Sequence, residues 1–129
     1  MSLSITELTK AIGSLEEALN LHDSAKTDSL EQRAFRDACI QRFEYCIELA
    51  WKVAMKALGS TTAAAKPAVR EMARSNLIAN PVEWIEFIEA RNHSSHSYDD
   101  QIANKVFYQI RKFLPAVKGL TGQLQKIVQ

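Results

Sequence analysis

At 129 residues the chain has room for one domain and too little for two comfortable ones, and its 47% apolar and 24% charged residues are the balance of a chain that buries a core. Sixteen basic side chains against fifteen acidic ones leave a formal charge of +1. This argues against a general nucleic-acid coat, which needs an excess of Lys and Arg to displace counterions, so any nucleic-acid role must rest on a local patch.

Four glycines and three prolines leave few places for turns, and the periodicity is helical nearly throughout. Ile5, Leu8, Ile12, Leu15 and Leu19 draw one apolar stripe, and Ser4 with Glu7 has the form of a capping box that starts the helix. Leu21 to Thr27 reads as the first loop. A longer helix is expected from Asp28 or Ser29, with the stripe Phe35, Cys39, Phe43, Cys46, Ala50, Val53 and Ala57, widened by Ile47, Leu49 and Ala54. About 30 residues at 1.5 Å each give it a length of roughly 45 Å, and Gly59 can supply a left-handed cap. Cys39 and Cys46, seven residues apart, lie about 10 Å apart along the axis, too far for a disulfide within that helix. Both read as small buried apolar side chains of a reducing compartment.

Ser60 to Lys66 is the most linker-like stretch. Pro67 suits the first position of a short helix running to about Ser75, because its missing N–H would be unpaired there anyway. Asn80-Pro81-Val82-Glu83 supplies a cap, a first-turn proline and a capping-box acid for the next helix, which carries Trp84, Ile85, Phe87 and Ile88. It should weaken near Asn92, where short polar residues compete for backbone hydrogen bonds. Ser97 with Asp100 is expected to cap the last core helix, whose stripe is Ile102, Val106, Ile110 and Phe113. Pro115 should kink or break it before Val117, Leu120, Leu124 and Ile127 resume the spacing. With no alternating strand pattern and no internal repeat, the expectation is an all-α bundle, antiparallel where loops are short, as a single domain over residues 1–129. The N-terminus lacks the basic and apolar run of a signal peptide, and no apolar stretch approaches the ~20 residues that span a bilayer, so a cytoplasmic protein without membrane contact is expected.

One stretch departs from bundle logic. Arg91, Asn92, His93, His96, Tyr98, Asp99 and Asp100 place two imidazoles, a guanidinium, a phenol and two carboxylates within ten residues. On an unbroken helix Arg91 and His96 would stand about 140° apart, so they can converge only if the helix ends or distorts between them, as Ser94-Ser95 allows. Plainer readings exist. Arg91 could be a helix-end cation pairing with Glu86 or Asp99, and His96 and Tyr98 could simply pack in a loop. His93, His96 and Asp99 imitate a metal site, but three ligands in one loop without a cysteine make a weak case, and no metal or cofactor is expected. Arg70 and Arg74, four apart near Lys66, could form a local RNA-binding strip or an ordinary solvated face. Trp51 and Trp84 read as core or interface anchors rather than base-stacking platforms.

Arg91-x4-His96-x-Tyr98 resembles the signature of the HEPN superfamily, in particular the HepT-like and "nucleotidyltransferase substrate-binding" proteins. The blocks Phe43 to Lys52, Pro67 to Trp84, Arg91 to Asp99, and Phe113-Leu114-Pro115 resemble further family landmarks in order, covering most of the chain from about residue 30. His93 departs from the pattern, since an apolar or uncharged residue would be expected there. The resemblance implies a four- to five-helix up-and-down bundle that pairs as a two-fold homodimer, bringing two motifs to one cleft. It also implies metal-independent RNA cleavage by Arg91 and His96. Tyr98 would be the hydroxyl to which a partner, a small nucleotidyltransferase, transfers AMP. Asn92 and His93, with Arg70 and Arg74, are weaker candidates for binding RNA or a nucleotide.

That chemistry is sensible for these residue types. An imidazole with a reference pKa of about 6.5 can take or give a proton near neutral pH, and a guanidinium can grip a phosphate with two parallel hydrogen bonds. An AMP group on Tyr98 would add bulk and negative charge where RNA phosphate must bind. The chain lacks the Asp-x-Asp pair and glycine-rich loop of a nucleotidyltransferase, so transfer itself requires another protein. Three readings stay open: a ribonuclease toxin, a non-catalytic nucleotide- or substrate-binding subunit of a two-component nucleotidyltransferase, and a helical scaffold with a vestigial motif.

Overall fold

The computed structural model describes residues 4–128; residues 1–3 and 129 lie outside the described residues. Among the described residues the elements are α1 (Ile5–Ser24), α2 (Leu30–Ala57), α3 (Ala65–Arg74), α4 (Pro81–His93), a 3₁₀ turn (Ser94–His96) and α5 (Asp100–Val128), with no strand. The all-α, antiparallel bundle expected from periodicity is therefore the fold. The α1–α2 hairpin forms one wall, α5 runs along both of its helices, and the short α3 and α4 close the far side.

Local chemistry sets most of the boundaries. Ser4 Oγ accepts from the Glu7 amide at 3.1 Å, Ser29 Oγ from Gln32 at 3.0 Å and Asn80 Oδ1 from Glu83 at 3.1 Å, three side-chain caps that satisfy otherwise orphaned N–H groups. Gly59 adopts φ +66° and ends α2, with its own N–H bonded to Lys56 O and that of Ser60 to Met55 O. Asn76, at φ +60°, ends α3 in the same way.

Four boundaries differ from expectation, each for a visible reason. First, α1 continues into the anticipated loop as far as Ser24. Its last turn is held by His22, whose ring lies 4.4 Å from that of Phe107, and by Asp23, which receives both amino groups of Arg111 at 2.7 and 3.1 Å. Second, Pro67 is the third residue of α3 rather than the first, still within the turn where an N–H has no helical partner. Third, Asp99 rather than Ser97 caps α5, its Oδ1 accepting from Gln101 and Ile102 at 2.9 and 3.2 Å. Fourth, α5 is not broken at Pro115. That residue is exposed, so water can solvate the carbonyl its missing N–H would have bonded. The linker-like stretch is tied down as well, because Ser60 Oγ (2.8 Å) and Thr62 Oγ1 both donate to Glu71.

The predicted stripes form the core except at their ends, where Phe35 is only half-buried and Ile127 is exposed. Phe113 is its hub, with ring centroids 5.0 Å from Phe43, 5.4 Å from Phe87 and 5.8 Å from Trp84, all edge-to-face. Cys39 and Cys46 are free and buried, and burial pushes their thiols up to about 11 and about 12. Neither can act as a nucleophile at neutral pH. Trp51 and Trp84 are buried. No helix among the described residues is long and apolar enough to cross a membrane.

Candidate functional site

The motif segment lies where α4 ends and α5 begins, over one flank of α2. Helix α4 carries Arg91 in its last turn, and the short polar residues that follow tighten the chain into the 3₁₀ turn Ser94–His96. The turn closes with Ser97 N–H donating to Ser94 O at 3.1 Å and Asp99 N–H to His96 O at 3.0 Å. The break foreseen at Ser94-Ser95 is thus real, and it carries His96 off the helical path that would have set it about 140° from Arg91.

Arg91 is half-buried and faces α2 rather than Glu86 or Asp99. Its Nη1 lies 3.6 Å from Glu44 Oε2 and its Nε 3.6 Å from Glu48 Oε1. These are ion-pair distances too long for hydrogen bonds, and the buried Nε–H has no hydrogen-bond partner. Ser94 is buried beside it, with its hydroxyl against both Glu44 Oε2 and Arg91 O (2.6 Å from the latter); its single proton can serve only one of them. Glu44 therefore bridges the motif arginine and the first residue of the turn.

His96 and Tyr98 form the exposed half of the site. The Tyr98 hydroxyl lies 3.5 Å from His96 Nδ1, the rings are 6.0 Å apart and nearly perpendicular, and Tyr98 is 84% exposed. An imidazole and a phenol so placed are open to a polymeric substrate and to a modifying enzyme alike.

The remaining candidates stand apart. His93, two residues and about 200° of helix from Arg91, lines a groove of about 390 Å³ between α4 and α5 with Glu86, Glu89, Ala90, Ile102 and Lys105. Asn92 is exposed, its carbonyl accepting from Ser95 Oγ at 3.4 Å. Arg70 and Arg74 are exposed on α3, and no hydrogen bond or ion pair among the described residues joins them to the motif. No group of three His, Cys, Asp or Glu side chains there is arranged to hold a metal ion.

Sequence reasoning did not single out the carboxylates that hold the site. Glu44 and Glu48 carry a usable signal: acids four apart on one helical face, followed by Lys52, whose Nζ lies 3.9 Å from Glu48. Arg36, only 8% exposed, was also missed. Its guanidinium donates to Asp37 Oδ1 at 3.1 Å and to Asp100 Oδ1 and Asn104 Oδ1 at 3.2 Å, fastening α2 to the start of α5. The motif is thus held to α2 at both ends, through Arg91 on α4 and through Arg36 on α2.

Comparison with known proteins gives a consistent result. A family model described as "Nucleotidyltransferase substrate binding protein like" matches residues 3–126, and so takes in α1 as well as the blocks that carry the resemblance. The chain is 30% identical, over 136 aligned positions covering 96% of it and 93% of the relative, to the "Probable ribonuclease HepT" of Haemophilus influenzae. A solved Haemophilus influenzae structure, described as revealing the fold of a substrate binding domain of a nucleotidyltransferase, aligns with TM-score 0.78 and 28% identity, covering 94% of this chain and 98% of that one. A crystal structure from Thermus thermophilus aligns with TM-score 0.77 and 25% identity, covering 91% and 98%.

Proposed function

The chain belongs to the nucleotidyltransferase substrate binding protein-like family, among the HepT-like HEPN proteins, and from that premise we propose that it is a metal-independent endoribonuclease toxin held in check by a small nucleotidyltransferase partner. Arg91 and His96 are the catalytic pair, a two-fold homodimer supplies two copies of each, and Tyr98 accepts AMP from the partner. The observation that carries this reading is the 3₁₀ turn, which places His96 and Tyr98 side by side and open to solvent, just beyond an arginine whose Nε–H has no hydrogen-bond partner.

In the reaction, one His96 takes the proton of a ribose 2′-hydroxyl. The freed oxygen attacks the adjacent phosphorus, and the bond to the 5′-oxygen breaks. The second copy's imidazolium protonates that departing oxygen, so the proton count closes without a metal. Arg91 stabilises the charge that builds on the phosphoryl oxygens, and Glu44 and Glu48 hold the guanidinium until substrate arrives. AMP on Tyr98 would stand beside His96 and repel an incoming phosphate.

A second reading has support of its own. The Haemophilus influenzae structure that the chain resembles is described as the fold of a substrate binding domain of a nucleotidyltransferase, which suits a subunit that binds a nucleotide or substrate for its partner without cutting RNA. Induced expression of wild type, His96→Ala and Arg91→Ala, with total RNA incubated with each purified protein, separates the two. The ribonuclease reading expects growth arrest and cleavage in wild type alone. A folded wild type that neither arrests growth nor cuts RNA would leave the binding-subunit reading.

A further inference from the structure

Charge is unevenly spread along the chain. After Asp100, α5 carries Lys105, Arg111, Lys112, Lys118 and Lys126 and no acid, leaving eleven basic residues against all fifteen acids elsewhere. Two of the five are committed: Arg111 to Asp23 (2.7 Å) and Lys118 to Glu16. Lys105 and Lys112 are in no ion pair among the described residues, and both are exposed.

Gln101, Lys105, Tyr108 and Lys112 follow one another at four-, three- and four-residue steps, which puts them on one stripe of the helix. Tyr108 is 61% exposed, and the Lys112 ammonium sits 4.7 Å from its ring centroid. The stripe starts three residues past Tyr98. The two carboxylates between them are occupied, Asp99 in capping α5 and Asp100 in pairing with Arg36. An exposed aromatic interleaved with unpaired lysines is the surface that single-stranded nucleic acid uses, bases stacking on the ring and phosphates meeting the ammonium groups.

We propose that this face of α5 is a track for single-stranded RNA running away from the motif, with Tyr108 stacking a base and Lys105 and Lys112 meeting phosphates. It is the local patch that a near-neutral chain requires, and it lies on α5 rather than at Arg70 and Arg74. On α3 the neighbouring Lys66 is paired with Glu89 at 3.5 Å, Glu71 stands between the two arginines, and no aromatic accompanies them. The proposal rests on the ribonuclease reading for the identity of its ligand.

The test is fluorescence anisotropy of an unstructured oligoribonucleotide with 2′-O-methyl riboses, which cannot be cut, titrated with full-length protein across a salt series. Lys105→Ala with Lys112→Ala should weaken binding and flatten the salt slope by ~0.7 per lysine removed. Tyr108→Ala should weaken it about tenfold, whereas Tyr108→Phe should bind as wild type. Arg70→Ala with Arg74→Ala should change neither. All these side chains are exposed, and circular dichroism checks that each variant keeps its helices. On cleavable RNA the lysine pair should raise KM with kcat nearly held, as for contacts shared by ground and transition states. Strip variants that bind like wild type would overturn the track while leaving the ribonuclease reading intact. A wild type that binds no RNA would overturn both. Binding of RNA without cleavage would sustain the track and remove the catalytic assignment. Retained RNA binding with lost association to a nucleotidyltransferase would overturn the track and assign the strip to a protein partner.

Discussion

The two flanks of α2 are built on opposite physics. One packs Phe43 against Phe113 in a buried aromatic cluster where stability comes from apolar area and close contact. The other offers Glu44 and Glu48 to Arg91, holding the start of a short polar segment by charge. Arg36, seven residues before Phe43 and so on nearly its face, fastens the segment's other end through Asp100 and Asn104. The apolar flank fixes the bundle whatever the motif does. The charged contacts fix the motif and leave His96 and Tyr98 in water. The lesson is that fold and function divide one helix between them, so their effects should come apart under mutation.

The largest expected effect is on the apolar flank. Phe113→Ala removes a ring shared by Phe43, Phe87 and Trp84 and should cost about 3–5 kcal/mol, measured by denaturant unfolding. A loss below about 1 kcal/mol would mean that the cluster is not the keystone. Among the charged contacts, Arg36→Ala strips hydrogen bonds from Asp100 and Asn104. Because Asp100 is largely exposed and water can replace its partner, the cost should be about 1–2 kcal/mol. Amide exchange at Ser97 and Asp99, which close the turn, should speed up more than exchange in the core, and equal acceleration everywhere would erase the distinction between charged and apolar contacts.

Much of this architecture was legible in the sequence, because apolar spacing and capping residues are local signals. The stripe through Phe43, Cys46 and Ala50, the Asn80-Pro81 start and the Gly59 stop all needed only neighbours in sequence. What was hidden was tertiary. Helix α1 outran its expected end because Arg111, 88 residues away, holds Asp23. Asp99 displaced Ser97 as the cap because the 3₁₀ turn draws its carboxylate onto the amides of Gln101 and Ile102, a geometry that spacing alone leaves undecided. Arg91, His96 and Tyr98 stand out as a motif, but Glu44 and Glu48 sit in a helix whose acids look like any solvated face until Arg91 is folded against them.

Smaller effects sharpen the picture at the edges. Asn80→Ala removes the α4 cap and should cost about 1 kcal/mol by thermal unfolding, since the Glu83 amide loses its acceptor. Asp23 is subtler. Its hydrogen bonds from Arg111 hold its carboxyl down at about 2, below its ordinary 3.8. A carboxylate depressed by folding stabilises above its unfolded pKa and loses that contribution as pH falls toward its folded value. Asp23→Asn should therefore be less stable than wild type at neutral pH, with the difference fading between about pH 4 and pH 2. Because both partners are about half exposed, the effect should be small. A difference that persisted undiminished at pH 2 would point to lost packing instead.

The central claim is that the exposed tips of the motif carry function and contribute little to the fold, and His96→Ala tests it most directly. Unfolding and RNA cleavage would be measured on the same preparation. The account predicts stability within about 0.5 kcal/mol of wild type, as for an exposed side chain away from the core, together with loss of cleavage. A variant that cuts RNA as wild type does, or one that loses cleavage only because it has unfolded, would contradict it.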